Sequence, residues 1–190
     1  MKASTAKGQA AEFYKYTYSA NGLMLTAQNE NMTETYSYDN LGRLTTLSDT
    51  TGARRTYTYD NNGNRTGFRL FIDNEQKLSQ AYTYDALSRL TKVTKDGTQI
   101  AAYTYNNNGN RLSTTLGNGI VTSYSYNKAG LLTSLTNKKG PNTLSSYAYT
   151  YYLNGNQSTK TENTGKVTTY GYDTLGRLTS ENEAQGSNNI

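Results

Sequence analysis

Tyrosines recur two apart along this chain, and most of what lies between the pairs is polar. Tyr-x-Tyr begins at Tyr16, Tyr36, Tyr57, Tyr82, Tyr103, Tyr124, Tyr149 and Tyr170, at intervals of 20, 21, 25, 21, 21, 25 and 21 residues. A period of two places both rings of a pair on one face of a β-strand. The residue between them is small (Thr17, Ser37, Thr58, Thr83, Thr104, Ser125, Thr150, Gly171), so the opposite face is lightly polar. A turn signal follows, as in Asp39-Asn40-Leu41-Gly42 and Asp60-Asn61-Asn62-Gly63. Asp or Asn can bond the backbone ahead of it, and Gly accepts positive φ, which suits a type I turn followed by a bulge.

The returning strand reads Arg43-Leu44-Thr45-Thr46-Leu47, Arg89-Leu90-Thr91-Lys92-Val93 or Leu131-Leu132-Thr133-Ser134-Leu135, and a second turn such as Asp49-Thr50-Thr51-Gly52, Asp96-Gly97 or Asn118-Gly119 closes the unit. The pattern predicts an all-β chain: tandem β-hairpins in a continuous antiparallel meander of about sixteen short strands. Residues 16–180 form the array of about eight repeats, expected as a single domain, with an extension over 1–15 and a polar tail over 181–190. Arg-Leu after the turn (Arg43-Leu44, Arg89-Leu90, Arg177-Leu178) alternates with Asn-Arg (Asn64-Arg65, Asn110-Arg111), so the duplicated unit is two hairpins. The longer connections, Phe68 to Lys77 and Asn137 to Ser146, are expected to be irregular, with Phe68, Phe71 and Ile72 as an apolar cluster and Pro141 in a loop.

The structural positions of the repeat are, hairpin by hairpin, Tyr16 and Tyr18; Tyr36, Tyr38, Asp39, Gly42 and Arg43; Tyr57, Tyr59, Asp60, Gly63 and Arg65; Tyr82, Tyr84, Asp85 and Arg89; Tyr103, Tyr105, Gly109 and Arg111; Tyr124, Tyr126 and Gly130; Tyr149, Tyr151 and Gly155; Tyr170, Tyr172, Asp173, Gly176 and Arg177. Regular recurrence in every unit favours cross-strand packing over a ligand platform, which needs only a few exposed rings. The arginines are expected to lie across neighbouring rings or to pair with Asp39, Asp60, Asp85 and Asp173.

Composition sharpens this. Hydrophobic residues make up 34% of the chain, and 19 of its 190 residues are Tyr, so aliphatic side chains are too few for an ordinary core and tyrosine must supply it. A fully buried Tyr removes roughly 150–250 Å² from water, provided its hydroxyl finds a partner. The chain has no Cys and no His, which removes disulfides, thiolate metal sites, Cys nucleophiles and the commonest general base. One Asp per turn is too few oxygens for Ca²⁺, and no nucleophile elbow or phosphate-binding glycine loop is present. No catalytic residue, metal or cofactor is therefore expected. A formal charge of +5, spread along the chain, fits solubility or weak polyanion contact better than a nucleic-acid footprint. No run approaches the roughly 20 apolar residues of a membrane span. The basic start of the chain lacks an apolar segment, so any secretion signal is expected outside these residues.

The segments YSYDNLGRLTTL from Tyr36, YTYDNNGNR from Tyr57, YTYDALSRLTKV from Tyr82 and YGYDTLGRLT from Tyr170 resemble the YD repeats of Rhs proteins, toxin-complex shell components and teneurins. The resemblance spans residues 16–180. It implies a β-sheet that curves or spirals into an open segment of a hollow shell, with a non-catalytic role as wall or scaffold in a secreted or surface toxin or adhesion protein. The implied partners are the rest of a larger shell or an encapsulated toxin polypeptide, with self-association through exposed strand edges. Family shells carry many more repeats and end in a segment with an autoproteolytic aspartate site. Nothing like that segment is present, so autocleavage is not carried over, and the chain is expected to be a fragment or short array forming an open arc. The alternative reading is a carbohydrate- or polyanion-binding module using exposed Tyr and Arg, with a glycan as partner.

Overall fold

The computed structural model describes residues 14–185. They form sixteen strands: β1 (Lys15–Tyr18), β2 (Met24–Gln28), β3 (Thr33–Tyr38), β4 (Leu44–Asp49), β5 (Ala53–Tyr59), β6 (Arg65–Ile72), β7 (Glu75–Tyr84), β8 (Leu90–Lys95), β9 (Thr98–Tyr105), β10 (Arg111–Leu116), β11 (Ile120–Tyr126), β12 (Leu132–Lys139), β13 (Asn142–Tyr151), β14 (Gln157–Glu162), β15 (Lys166–Tyr172) and β16 (Leu178–Gln185). The fold is an all-β antiparallel meander, as the period-two pattern predicts.

The contacts divide the chain into two compact units at the Thr98–Gln99 step. The physical reason is that a meander strand touches only its sequence neighbours, so contacts decompose along the chain. In the first unit β1 to β8 pair in chain order, and in the second β9 to β16 do the same.

Two expected boundaries also move. Strand β1 opens at Lys15, inside the expected extension. At the other end, β16 runs to Gln185 because β15 continues to supply partners as far as Lys166↔Gln185, with Lys166 Nζ 2.6 Å from Glu183 Oε1. The rest of the expected extension (1–13) and tail (186–190) lies outside the described residues.

The two connections expected to be irregular are hairpins with longer strands, each with one register shift, at Leu70/Phe71 and at Asn137/Lys138. Phe68 to Ile72 lie in β6, which pairs with β7 up to Ile72↔Glu75 across a two-residue turn, Asp73-Asn74, with φ of 50° and 65°. Positive φ at both central residues is the turn that matches strand twist. Lys139↔Asn142 closes β12 on β13 across another two-residue turn, in which only the first residue, Gly140, has positive φ (56°) and Pro141 follows. The extra residues lengthen the strands, which the spacing alone does not distinguish from a long loop.

Each Tyr-x-Tyr strand carries a register shift at its second tyrosine. In the second hairpin Ser37 faces Thr46 but Tyr38 faces Leu44, leaving Thr45 as the extra residue. This β-bulge explains why the return strands carry apolar residues three apart. Leu44 and Leu47 would point to opposite faces of a regular strand, and the bulge brings both to the tyrosine face, opposite Tyr38 and Tyr36. Val93 and Leu90 face Tyr82 and Tyr84 by the same device. The bulged threonine hydroxyl donates to a carbonyl of the facing strand, Thr45 Oγ1 to Ser37 O at 3.1 Å and Thr91 Oγ1 to Thr83 O at 3.0 Å. On this second face hydroxyls pair across strands, as in Thr17–Thr26 (2.6 Å) and Thr104–Ser113 (2.7 Å).

The tyrosines are a half-buried layer where composition led us to expect a core. Among the described residues only Ala53, Val93, Ala101 and Thr168 are buried, and all four share the parity or register of the tyrosine face. Among the described residues each strand touches only its neighbours in the sheet, so a ring in this single layer is flanked from the sides.

Candidate functional site

The recurring chemistry sits in two rows within each unit: the turns that follow the tyrosine pairs, and the tyrosine rings themselves. All eight turns close with the same bond, from the amide of the fourth residue to the carbonyl of the first: Gly22 to Ser19, Gly42 to Asp39, Gly63 to Asp60, Ser88 to Asp85, Gly109 to Asn106, Gly130 to Asn127, Gly155 to Tyr152 and Gly176 to Asp173, at 2.9–3.2 Å. Ser88 stands where the others have glycine and keeps the left-handed backbone, with φ of 60°. Its hydroxyl accepts a hydrogen bond from Asn64 Nδ2 of the preceding turn at 2.9 Å.

Within a turn the first side chain organises the backbone. Asp39 Oδ1 accepts from the amides of Leu41 and Arg43, both at 2.9 Å, while Oδ2 takes Arg43 Nε at 2.7 Å. Asp85 with Arg89 and Asp173 with Arg177 repeat this fork. Asp60 differs: Asn64 donates to its Oδ2, and Arg43 Nη1 reaches from the previous turn to the Asp60 carbonyl at 2.9 Å. The arginines of the other hairpin type turn to the rings. Arg65 lies 5.1 Å from the centroid of Tyr82 and Arg111 4.8 Å from that of Tyr103. Arg43 does both, since it also lies 4.7 Å from the ring of Tyr59. The arginines of the Arg-Leu type are thus bound to their own turns, Arg43 to a ring as well, and those of the Asn-Arg type lie on rings.

In four hairpins the second tyrosine of the pair ties its hairpin to the one before. Tyr38 donates to Met24 O at 2.8 Å, Tyr59 to Leu44 O at 2.9 Å, Tyr84 to Arg65 O at 2.8 Å and Tyr151 to Leu132 O at 2.6 Å. In each case the acceptor is the first residue of the preceding return strand. No spacing rule announces this bond, because it joins residues 14 to 19 apart through a register that the bulge sets. First tyrosines are held by their neighbours: Tyr57 packs on Phe68 at 5.5 Å, and the Tyr36 and Tyr82 hydroxyls bond Glu34 and Gln80 two residues earlier. Phe71, on the other face, lies under the Arg54 guanidinium at 3.9 Å. In the seventh turn Tyr152 replaces Asp, and its ring meets Tyr172 edge-on at 6.2 Å while its hydroxyl bonds Tyr170 O.

These contacts set the pH response. Backbone amides and the guanidinium hold Asp39, Asp85 and Asp173 below the usual carboxylate range, and the Asn64 side chain does the same for Asp60. Asp49, in the turn between β4 and β5, is lowered first by the Thr51 hydroxyl. Because these folded pKa values lie below the unfolded ones, their stabilisation is complete above the unfolded carboxylate pKa and is lost as pH falls through the folded values. Urea midpoints should therefore fall below about pH 4, and Asp39→Asn with Asp85→Asn should flatten that acid limb. At the other extreme, donation to the Glu34 carboxylate pushes the Tyr36 phenol up to about 12. Its contribution is complete below the unfolded value of about 10 and is lost as pH rises towards 12. Tyr36→Phe should remove that part of the alkaline slope in a pH series of urea midpoints.

Among the described residues no three His, Cys, Asp or Glu side chains gather as a metal site. The polar groups singled out by the sequence meet each other, in turn forks and ring contacts. Such an arrangement defines a class, a hairpin-repeat array whose side chains fasten hairpin to hairpin.

The comparisons agree. The RHS Repeat family model matches residues 18–54, 38–67, 105–143 and 151–187, and the Teneurin YD-shell model matches residues 68–122. The repeat matches alone take in more than half of the chain, which belongs to the RHS-repeat family. No curated protein matches. The structure of the Photorhabdus luminescens Tc holotoxin pore is similar in fold over 94% of this chain and 11% of that one, with a TM-score of 0.71 at 18% identity. A crystal structure of TcdB2-TccC3-Cdc42 matches over 94% of this chain and 16% of that one, with a TM-score of 0.50 at 13% identity. The chain thus spans about a tenth to a sixth of the length of these structures.

Proposed function

We propose that this array is a segment of shell wall, a structural module of a larger secreted or surface protein whose partner is the remainder of a YD-repeat shell or a polypeptide enclosed by it. The observation that carries the reading is the fastening of hairpin to preceding hairpin at four junctions, through the hydroxyl-to-carbonyl bonds of Tyr38, Tyr59, Tyr84 and Tyr151. A side chain engaged in this way builds a continuous surface. The fold shared with a Tc holotoxin pore structure supports the same reading. Catalysis plays no part in it. Self-association belongs to it, because β1 and β16 each have one paired side among the described residues, and a free strand edge is a template for another strand.

The test joins two measurements on the folded protein. In a spectrophotometric phenol titration, a set of tyrosines including Tyr36, Tyr84, Tyr126, Tyr149 and Tyr151, all with raised pKa, should ionise late. On heparin and glycan surfaces at physiological salt, the protein should not be retained. Specific retention that disappears on substituting face tyrosines or Arg65 and Arg111 would replace the wall reading by a glycan- or polyanion-binding module.

A further inference from the structure

The turns that follow the tyrosine pairs alternate in a second way, which the wall reading does not use. The third and fourth residues are Asn-Gly in the first, third, fifth and seventh turns: Asn21-Gly22, Asn62-Gly63, Asn108-Gly109 and Asn154-Gly155. In the other four the third place is held by Leu41, Leu87, Ala129 and Leu175. A fifth Asn-Gly step, Asn118-Gly119, joins β10 to β11. All five asparagines are exposed.

An asparagine carboxamide and the next backbone nitrogen can close a five-membered ring, and a following glycine, lacking Cβ, leaves that nitrogen uncovered. The surroundings leave it open as well. A Cβ on Gly22, Gly63, Gly109, Gly119 or Gly155 would meet nothing within 4 Å, whereas Gly42, Gly130 and Gly176 lie against Leu23, Asn110 and Asn156. The amides of the five open glycines all donate to the first carbonyl of their turn, at 2.9–3.2 Å, so this bond does not separate them. The asparagine side chains do. Asn118 Oδ1 accepts from the Ile120 amide and Asn154 Oδ1 from the Asn156 amide, both at 3.1 Å, and each must give up that bond before its Cγ can turn to the glycine nitrogen. Among the described residues the side chains of Asn21, Asn62 and Asn108 have no such bond to give up.

We infer that Asn21, Asn62 and Asn108 are sites of spontaneous deamidation in the folded protein, ahead of Asn118 and Asn154. The glycine nitrogen, its proton passed to solvent base, attacks the asparagine Cγ. The new C–N bond closes a succinimide as the Cγ–Nδ2 bond breaks and ammonia leaves. Water then opens the ring at either carbonyl to give aspartate or isoaspartate, with no oxidation or reduction. Each conversion adds one negative charge to a chain of formal charge +5. Isoaspartate also inserts a methylene into the backbone of a four-residue turn. At Asn62 that turn begins at Asp60, whose carbonyl receives Arg43 Nη1 from the preceding hairpin, so conversion there loosens a joint of the array.

Peptide mapping by mass spectrometry tests this on the full chain held at mildly alkaline pH, with a parallel sample unfolded in urea. In the folded chain Asn21, Asn62 and Asn108 should convert about two- to tenfold faster than Asn118 and Asn154, the worth of one hydrogen bond, and both aspartate and isoaspartate should form. In urea, where those bonds are gone, the five rates should draw together. Asn62→Gln should abolish conversion at that site and leave the other rates unchanged. Equal rates at all five sites in the folded chain overturn the inference, as does conversion at none of them or the same spread of rates in urea. Aspartate as the only product overturns it too, because direct hydrolysis of the carboxamide then replaces ring closure. None of these results alters the phenol titration or the glycan and heparin outcome, so the wall reading stands or falls separately.

Discussion

Gly52→Ala should cost about 1–2 kcal/mol, with a small excess over Gly63→Ala for turning the Asp73 side chain aside. The two glycines share nearly the same backbone, with φ of 90° and 88°, so alanine meets the same left-handed strain at both, about 1–2 kcal/mol. Their surroundings differ. A Cβ on Gly63 points into open space, whereas one on Gly52 would overlap Asp73 Oδ1 of the neighbouring turn. The two turns are already joined, since the Asp73 amide donates to Gly52 O at 3.0 Å. Urea midpoints of the two variants check the difference, and in an Asp73→Gly background the excess should disappear. An excess that survives in the Asp73→Gly background would mean that it does not arise from the Asp73 side chain.

Tyr59→Ala should cost about 2–3 kcal/mol, below the roughly 3–5 kcal/mol for removal of a fully enclosed ring because this ring is half-buried. Tyr59→Phe should cost about 0.5–1.5 kcal/mol, the net worth of one hydroxyl-to-carbonyl bond. The alanine variant loses in addition the surface on which the Arg43 guanidinium lies. The matched pair at the edge, Tyr18→Ala and Tyr18→Phe, should shift the urea midpoint little at concentrations where the protein is monomeric, because that ring is 56% exposed. If Tyr59→Phe costs nothing, the bond from the Tyr59 hydroxyl to Leu44 O does not fasten the third hairpin to the second.

How far the fold was legible depends on the element. Tyr36 and Tyr38 around Ser37, followed by Asp39 and Gly42, specify strand, faces and turn within seven residues, because each signal is local. Leu44 and Leu47 do not fit a period of two, and only the bulge at Thr45 accounts for both on one face. The hairpin at Asp73-Asn74 is not legible in the sequence because its turn has no glycine and the residues that lengthen β6 and β7 lie outside the Tyr57–Tyr59 and Tyr82–Tyr84 motifs. The arginines were legible as a class, since charge and position beside an Asp announce a fork. Which of them would turn to a ring, as Arg65 and Arg111 do, depends on the residue brought beside them.

The sequence by itself determined the unit: a strand with one aromatic face, a turn of Asp or Asn closed by Gly in most hairpins, a return strand, and the alternation of two hairpin types. All of these rest on backbone preferences and side-chain chemistry within a few residues. Tertiary structure decided the joints. The Tyr59 hydroxyl meets Leu44, Arg43 meets Asp60 and Gly52 lies against Asp73 only after neighbouring strands are registered. Register is a collective property of paired strands, in which one bulged residue changes every contact beyond it.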